Sequence, residues 1–174
     1  FDSCVLVEEV VENLREVNLS ILGDTSNLET SVIEEVSMSD DFLTFENKYL
    51  NNGSSKGMEN TTRIIPAKLE KAIEDKVIEF GTKAYKFLGC KGLVRIDFLI
   101  NGKTSEVYLN ELNTIPGSLS NYLWKDKGYN FTELLNKMME YSLLEKEKEQ
   151  SKVTNFSSNV LANFEKCDKL DFKK

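Results

Sequence analysis

The feature that most constrains the fold is a predicted β-hairpin in the second half of the chain. Residues 93–100 are mostly apolar and rich in β-branched and aromatic side chains. Asn101-Gly102 then supplies the pair typical of a type I′ turn, and an extended pattern resumes over residues 105–110. The sequence therefore predicts two antiparallel strands joined by a tight turn.

Polar side chains are placed so that this hairpin would gather them. Side chains two apart on a strand share a face, so Arg95 shares one with Asp97, and Glu111 shares one with Asn113. Two carboxylates and an amide oxygen suit Mg²⁺ or Mn²⁺, and without a cation two carboxylates at ~4 Å would repel by about 4 kcal/mol at an effective dielectric of ~20. We interpret the group as a magnesium-nucleotide site. The alternative is a solvated hairpin edge without function.

The first half of the chain predicts a meander and a loop. Residues 4–9, 16–22 and 28–36 have the composition of three strands. Residues 40–63 lose the hydrophobic period and are expected to form a long polar loop. Lys48 near its start and Arg63 at its end favour a lid that closes over phosphates. An insertion of no consequence is the alternative.

Two helices and a tail complete the prediction. Apolar residues recur at helical spacing from Pro66 to Leu88, and Gly89 is expected to end that helix. A second helix is predicted over residues 130–148, with an apolar face that packs on the hairpin sheet. Residues 148–174 form a charged, mixed tail.

Composition narrows the classes of function. The 174 residues suit one domain, and a first residue of Phe leads us to expect a fragment of a longer polypeptide. The absence of histidine excludes His-based nucleophilic triads and zinc sites with histidine ligands, and a net charge of −7 argues against nucleic-acid binding. No apolar run approaches the ~20 residues that span a membrane. Three widely spaced cysteines suggest reduced thiols and a cytoplasmic location.

The hairpin motif resembles a known family. Its R-x-D strand and its N-E-x-N-T-x-P-G segment are similar to the C-terminal lobe of D-alanine:D-alanine ligases, of the ATP-grasp superfamily. The resemblance runs from about residue 5 to about residue 144, with shorter matches, in order, at residues 5–9, 15–23, 46–49 and 65–67. It implies an α+β fold, mostly antiparallel sheet packed against helices. Residues 1–147 would be the C-terminal portion of an ATP-grasp domain and residues 148–174 a tail extension.

The resemblance also implies which residues bind ATP. Backbone groups of Glu8, Glu9 and Val11 would hold the adenine, and Glu16 the ribose hydroxyls. Lys48 would contact the nucleotide phosphates or the reacting carboxylate. The full set implied for nucleotide binding is Glu8, Glu9, Val11, Glu16, Lys48, Arg95, Leu99 and Asn110.

Metal and catalytic roles follow from the same resemblance. Asp97, Glu111 and Asn113 match the family's ligands for two Mg²⁺ ions, or Mn²⁺, with Glu111 able to bridge both. Arg95 and the Gly117 backbone N–H match groups that stabilise negative charge on the phosphoryl group and the tetrahedral oxyanion.

The implied reaction is ATP-dependent ligation. A D-alanine carboxylate attacks the γ-phosphate to give an acylphosphate, and the amine of a second amino acid displaces phosphate. The product would be a D-alanyl dipeptide for the peptidoglycan of the cell wall. The partners would be ATP, D-amino acids, and the N-terminal and central domains of the same parent chain. The resemblance leaves a homodimer open, and we expect negligible ligase turnover from this chain alone.

One position departs from the family. A serine commonly stands eleven residues beyond the metal-binding glutamate, where it receives the second substrate's carboxylate, but that position here is Tyr122. Tyr122 and Ser120 are the candidate substrate residues, because either hydroxyl can donate. The second substrate is left open among D-alanine, D-serine, D-lactate and another amine. The alternatives are a different ATP-grasp carboxylate-amine ligase and a non-enzymatic binding module.

Overall fold

Five strands form one antiparallel sheet in the spatial order β3-β2-β1-β4-β5. The computed structural model describes residues 4–38 and 61–152. The strands are β1 Leu14–Gly23, β2 Leu28–Met38, β3 Thr61–Ile64, β4 Gly92–Asn101 and β5 Val107–Asn113. Helix α1 is Lys71–Phe87, a 3₁₀ segment follows at Gly117–Lys127, and helix α2 is Phe131–Gln150. The expected α+β fold is confirmed.

The chain divides into two compact units, Phe1–Ser142 and Leu143–Lys174. The sheet, α1 and the 3₁₀ segment all belong to the first unit. The predicted boundary after residue 147 stays a prediction. The predicted loop over residues 40–63 is wrong at its end, because residues 61–63 belong to β3, where they pair with β2. Residues 40–60 of the predicted lid, with Lys48 among them, lie outside the described residues.

One face of the sheet carries the main core. Strand alternation turns Val17, Leu19 and Ile21 of β1 to the same side, where they meet α1. The helix comes close because Gly81 has no side chain: a Cβ there would lie 3.0 Å from the Leu19 side chain. The buried members of this core are Val17, Leu19, Ile21, Ile33, Ile73, Val77, Tyr85, Val94, Ile96, Phe98, Ile100 and Val107.

A second, smaller core lies on the opposite face, at one end of the sheet. Trp124 of the 3₁₀ segment is fully buried there, and its indole N–H donates to Ser20 Oγ at 3.0 Å. Its buried members are Leu22, Leu93, Leu123, Trp124, Leu134 and Tyr141. The rest of that face carries polar side chains, and these form the candidate site.

Three expectations were wrong in detail. Residues 4–11 have no regular secondary structure, and Val5 and Leu6 are each 81% exposed, because nothing in the described chain pairs with them as a strand would require. Helix α1 begins at Lys71, after an extended Glu70, and not near Pro66. The buried apolar face of α2 is narrower than its sequence suggests, since Met139 is 61% exposed.

The hairpin is confirmed, but its turn is not the two-residue type I′ turn. Asn101 closes a longer loop, since its backbone N–H donates to Glu106 O at 2.9 Å. Its side-chain Oδ1 accepts the N–H groups of Lys103 and Thr104, which makes an Asx-type turn. Gly89 ends α1 as expected, in the left-handed region at φ 64°. Among residues 4–38 and 61–152, no helix has the length and hydrophobicity needed to cross a membrane.

Candidate functional site

The pairing of β4 with β5 brings the predicted metal and phosphate residues together. Arg95 stands opposite Asn113 and Asp97 stands opposite Glu111. A bulge follows between Asp97 and Phe98, and it leaves Asn110 as the extra residue of β5. All four side chains therefore share one face, as the hairpin predicted.

Hydrogen bonds join these four side chains into one network. The Arg95 guanidinium donates twice to Asp97, from Nε to Oδ1 and from Nη2 to Oδ2, each at 2.7 Å. The Asn113 amide nitrogen donates to Asp97 Oδ2 at 3.1 Å and to Glu111 Oε1 at 3.0 Å. One amide group thus spans both carboxylates, which places their oxygens within reach of a single small cation.

The electrostatics of Asp97 are unusual for a carboxylate in an ion pair. Burial raises the pKa of Asp97 above its ordinary value, and the nearby Glu111 raises it further, although the Arg95 hydrogen bonds act in the opposite direction. The pKa of Arg95 is raised as well, chiefly by its hydrogen bonds to Asp97. The charged form of Asp97 is therefore incompletely compensated, and additional positive charge would stabilise it.

The residues present fit a magnesium ion. The donor set is two carboxylates and one amide group, and the Asn113 oxygen faces the carboxylates once the amide turns over. Among the described residues there is no group of three or more His, Cys, Asp or Glu side chains that could hold a metal. A site with only two acidic ligands suits Mg²⁺ that is completed by phosphate oxygens and water.

The polar face continues beyond the hairpin. Strand register aligns Glu34 of β2, Asn18 of β1, Asp97 of β4 and Glu111 of β5 in one row across the sheet. The Asn18 amide donates to Glu34 Oε1 at 2.8 Å, and Glu34 is only 1% exposed. Sequence reasoning missed Glu34 and Asn18. The alternation of side chains along β1 could have revealed Asn18, because it stands between the core residues Val17 and Leu19 and therefore points to the opposite face.

The candidate substrate residues lie in the 3₁₀ segment. The Tyr122 hydroxyl donates to Glu34 Oε1 at 2.7 Å, and burial together with this hydrogen bond raises the pKa of Tyr122 to about 12. Ser120 is fully buried, and its Oγ has no hydrogen-bond partner among the described residues. Ser118, Leu119 and Ser120 are all left-handed, with φ of 50°, 51° and 47°. Consecutive left-handed residues store strain, a feature that concentrates at functional sites.

Gly117 is exposed, and neither packing nor backbone conformation demands a glycine there. A Cβ at this position would meet nothing within 4 Å, and its φ is not in the left-handed region. The space beside it is open for a ligand to approach the backbone.

The predicted nucleotide residues are more dispersed. Glu8 and Glu9 are exposed, and Val11 is half-buried, in a segment without regular structure. Glu16 of β1 lies opposite Leu99 of β4, and both are half-buried. The exposed Asn110 lies at the β5 bulge. Leu99 and Glu16 thus share the face of Asp97, whereas Glu8, Glu9 and Val11 precede β1 in the sequence.

Comparison with known proteins identifies the family. Residues 1–140 match the family described as D-ala D-ala ligase C-terminus. The chain is 38% identical over 161 residues to the D-alanine–D-alanine ligase of Thermosipho melanesiensis, and this covers 92% of the chain and 42% of the relative. The chain thus spans less than half the length of that relative.

Solved structures show the same fold. The VanG D-Ala:D-Ser ligase of Enterococcus faecalis superposes with a TM-score of 0.59 at 28% identity, over 75% of this chain and 36% of that one. A D-alanine–D-alanine ligase from Bacillus anthracis, solved with ATP, gives a TM-score of 0.58 at 21% identity, over 78% of this chain and 40% of that one. The chain therefore belongs to the D-alanine–D-alanine ligase family and comprises the ATP-grasp C-terminal portion of its fold.

Proposed function

We propose that this chain forms the magnesium and phosphate side of the active site of an ATP-dependent D-alanine:D-alanine ligase. One observation carries the proposal: Arg95, Asp97, Glu111 and Asn113 form one hydrogen-bonded network on an open sheet face. Its polar groups are the types needed to bind and neutralise a triphosphate.

Asp97, Glu111 and Asn113 are the residues that would hold Mg²⁺, as two ions or with Mn²⁺ in their place. The bound ions would neutralise charge on the phosphates and hold the γ-phosphoryl group in line for transfer. Arg95 stays beside Asp97 and donates to the same phosphoryl oxygens. The row from Asp97 to Glu111 would then lie beneath the end of the triphosphate.

The rest of the nucleotide would extend along the same face. We assign the ribose to Glu16, the adenine to the backbone of Glu8, Glu9 and Val11, and further contacts to Leu99 and Asn110. Lys48 would contact the phosphates from the segment that follows β2. A main-chain contact with the adenine tolerates the variable side chains at residues 8–11.

The proposed reaction has two steps. An oxygen of the first D-alanine carboxylate attacks the γ-phosphorus, the bond to the β–γ bridging oxygen breaks, and ADP leaves. The amine of the second amino acid then attacks the acyl carbon of the acylphosphate, loses a proton, and inorganic phosphate leaves with the formerly carboxylate oxygen. Arg95 and the Gly117 N–H stabilise the negative charge that develops on the phosphoryl and acyl oxygens.

The whole enzyme needs more than this chain. Because the chain spans 42% of its Thermosipho relative, we propose that N-terminal and central domains of the same parent chain complete the site. We expect this chain alone to give negligible ligase turnover. The dipeptide would serve peptidoglycan synthesis in the cytoplasm, where ATP is available.

A specific observation favours a variant of this function as a second candidate. The position of the family's serine is occupied by Tyr122, whose hydroxyl donates to Glu34. A ligase of this family with a second substrate other than D-alanine, such as D-serine or D-lactate, fits that difference.

The test is ADP release by the parent protein, meaning the complete polypeptide in which this chain occurs, with ATP, Mg²⁺ and D-alanine. We expect release that Asp97→Asn and Glu111→Gln each lower by at least a factor of about 100. No release with D-alanine, but release with D-alanine plus D-serine or D-lactate, would favour the second candidate. No release with any amino acid would contradict both.

A further inference from the structure

Tyr122 cannot serve as the donor that its position suggests. A tyrosine hydroxyl carries one hydrogen, and that of Tyr122 is directed to Glu34 Oε1 at 2.7 Å. Its remaining lone pairs accept hydrogen bonds and would repel a carboxylate. Ser120 offers no substitute, because its side chain is fully buried. The second substrate's carboxylate therefore needs another donor.

Arg63 of β3 lies where such a donor is required. Its guanidinium carbon is 5.0 Å from the centroid of the Tyr122 ring, a cation–π contact that holds the group beside that ring. Its side chain is 36% exposed. Its ion pair with Glu34 Oε2, at 3.9 Å, is longer than a hydrogen bond, so within residues 4–38 and 61–152 its N–H groups are not committed to a short hydrogen bond.

Glu34 explains why the arginine is held there. Glu34 is 1% exposed, and its Oε2 has no hydrogen-bond partner among the described residues, although Oε1 accepts from both Asn18 and Tyr122. A buried carboxylate oxygen without a partner is costly, so it attracts the nearest cation. That cation is Arg63, at 3.9 Å from Oε2.

Glu34 and Arg63 also lie on the sheet face that carries Asp97. Glu34 lies in the same row as Asp97, two strands away, which is roughly 10 Å at the usual strand spacing. Glu34 and Tyr122 are also close enough to raise the pKa of Arg95. Arg63, which lies beside Glu34, therefore borders the same polar face of the sheet.

We propose that Arg63 binds the carboxylate of the amine-accepting amino acid, and that Glu34 and Tyr122 are positioning residues that hold its guanidinium. This inference rests on the proposed ligase function. It replaces a serine hydroxyl by a guanidinium, whose planar fork binds a carboxylate through two parallel hydrogen bonds. The acceptor must then carry an anionic group, and an acceptor without one would be used poorly.

The test compares two acceptors in the parent protein, with ATP, Mg²⁺ and D-alanine as donor. D-Alanine as acceptor has the carboxylate, and D-alaninamide has the same amine without it. We expect Arg63→Met to lower the preference for D-alanine over D-alaninamide by roughly 10- to 100-fold, with the KM for ATP changed less than about 2-fold. Arg63→Lys, which keeps the charge but not the fork, should lower it only a few-fold.

Two further variants separate positioning from direct binding. Tyr122→Phe keeps the ring under Arg63 and removes the hydroxyl, so the preference should persist within about 3-fold. Glu34→Gln should raise the KM for the acceptor, because Arg63 is held less firmly, and should change kcat little. Thermal melts of each variant identify any that fail to fold. If Arg63→Met does not fold, the acceptor preference of Arg63→Lys is the test of the role of Arg63.

The outcomes separate this inference from the proposed function. A wild-type protein that turns over D-alanine while Arg63→Met and Arg63→Lys keep the full acceptor preference overturns the role of Arg63 and leaves the ligase function standing. Loss of the preference in Tyr122→Phe alone would assign the carboxylate to Tyr122 and overturn the inference equally. A wild-type protein without turnover for any amino acid pair overturns the proposed function and this inference with it.

Discussion

Replacing Asp97 by Asn should remove magnesium binding without destabilising the metal-free fold. The substitution keeps the shape of the side chain and removes its charge. The side chain is 15% exposed and accepts two 2.7 Å hydrogen bonds from Arg95. From the ion pair alone, one would therefore expect the substitution to cause a large loss of stability. Removing one partner of a buried ion pair typically costs about 3–5 kcal/mol.

The pKa of Asp97 leads to the opposite expectation. Because burial and Glu111 together raise this pKa, the ion pair does not fully offset the cost of placing the charge there. An asparagine keeps one bond from Arg95, loses a charge-assisted bond of about 1.5–3 kcal/mol, and escapes both the desolvation and the repulsion by Glu111. We expect the free energy of unfolding without metal to change by less than about 1 kcal/mol.

Ligand-induced stabilisation gives the contrasting magnitude. A ligand at 100 times its Kd stabilises the native state by about 2.7 kcal/mol, and a variant that binds 100-fold more weakly gains only about 0.4 kcal/mol. Thermal melts of the parent protein with and without Mg²⁺ and a non-hydrolysable ATP analogue measure this difference. A variant that is 3 kcal/mol or more less stable without metal, by the scale of a broken buried pair, and that responds fully to Mg²⁺ would refute the reasoning.

Three further predictions follow from single features. Since the raised folded pKa of Asp97 favours the protonated form, its contribution to stability is present below the ordinary value of 3.8 and is lost as the pH rises through the folded pKa. Urea titrations of the metal-free chain against pH should show this decline, and Asp97→Asn should flatten it. Gly117→Ala should leave the melting temperature unchanged, because a Cβ there meets nothing within 4 Å, yet lower the ligase rate at least about 10-fold by crowding the ligand; an unchanged rate would argue against a backbone contact. Tyr85→Phe should cost about 1–3 kcal/mol in urea unfolding, because the single hydrogen of the Tyr85 hydroxyl is shared between two backbone carbonyls, Gly23 O at 2.8 Å and Gly92 O at 2.7 Å; equal stability would contradict that role.

Local patterns in the sequence were sufficient for the hairpin and its polar cluster. Two-residue periodicity fixed which side chains share a face, and the strands are neighbours in sequence, so Asp97 and Glu111 could be placed together. The turn was predicted wrongly, because the Asn101 side chain bonds two backbone N–H groups of a longer loop, which Asn-Gly alone does not reveal.

Long-range pairings were the part that local patterns could not supply. Glu34 joins the row of Asp97 only because β1 lies between β2 and β4, a strand order that no local pattern determines. The direction of the Tyr122 hydroxyl depends on Glu34, 88 residues away in sequence. Residues 4–9 were predicted to be a strand from their composition, but a strand also needs a partner, and the described chain provides none.

The most direct test of the central claim is the transfer of oxygen from substrate to phosphate. The parent protein is supplied with ATP, Mg²⁺ and D-alanine labelled with ¹⁸O in its carboxylate, and the phosphate and dipeptide are analysed by mass spectrometry. The account predicts D-alanyl-D-alanine, or a D-alanyl product with another acceptor, together with one ¹⁸O in each phosphate released, and neither product with Asp97→Asn. Phosphate that carries no ¹⁸O, formed at the same rate by Asp97→Asn, would contradict the acylphosphate route and the role of this metal site.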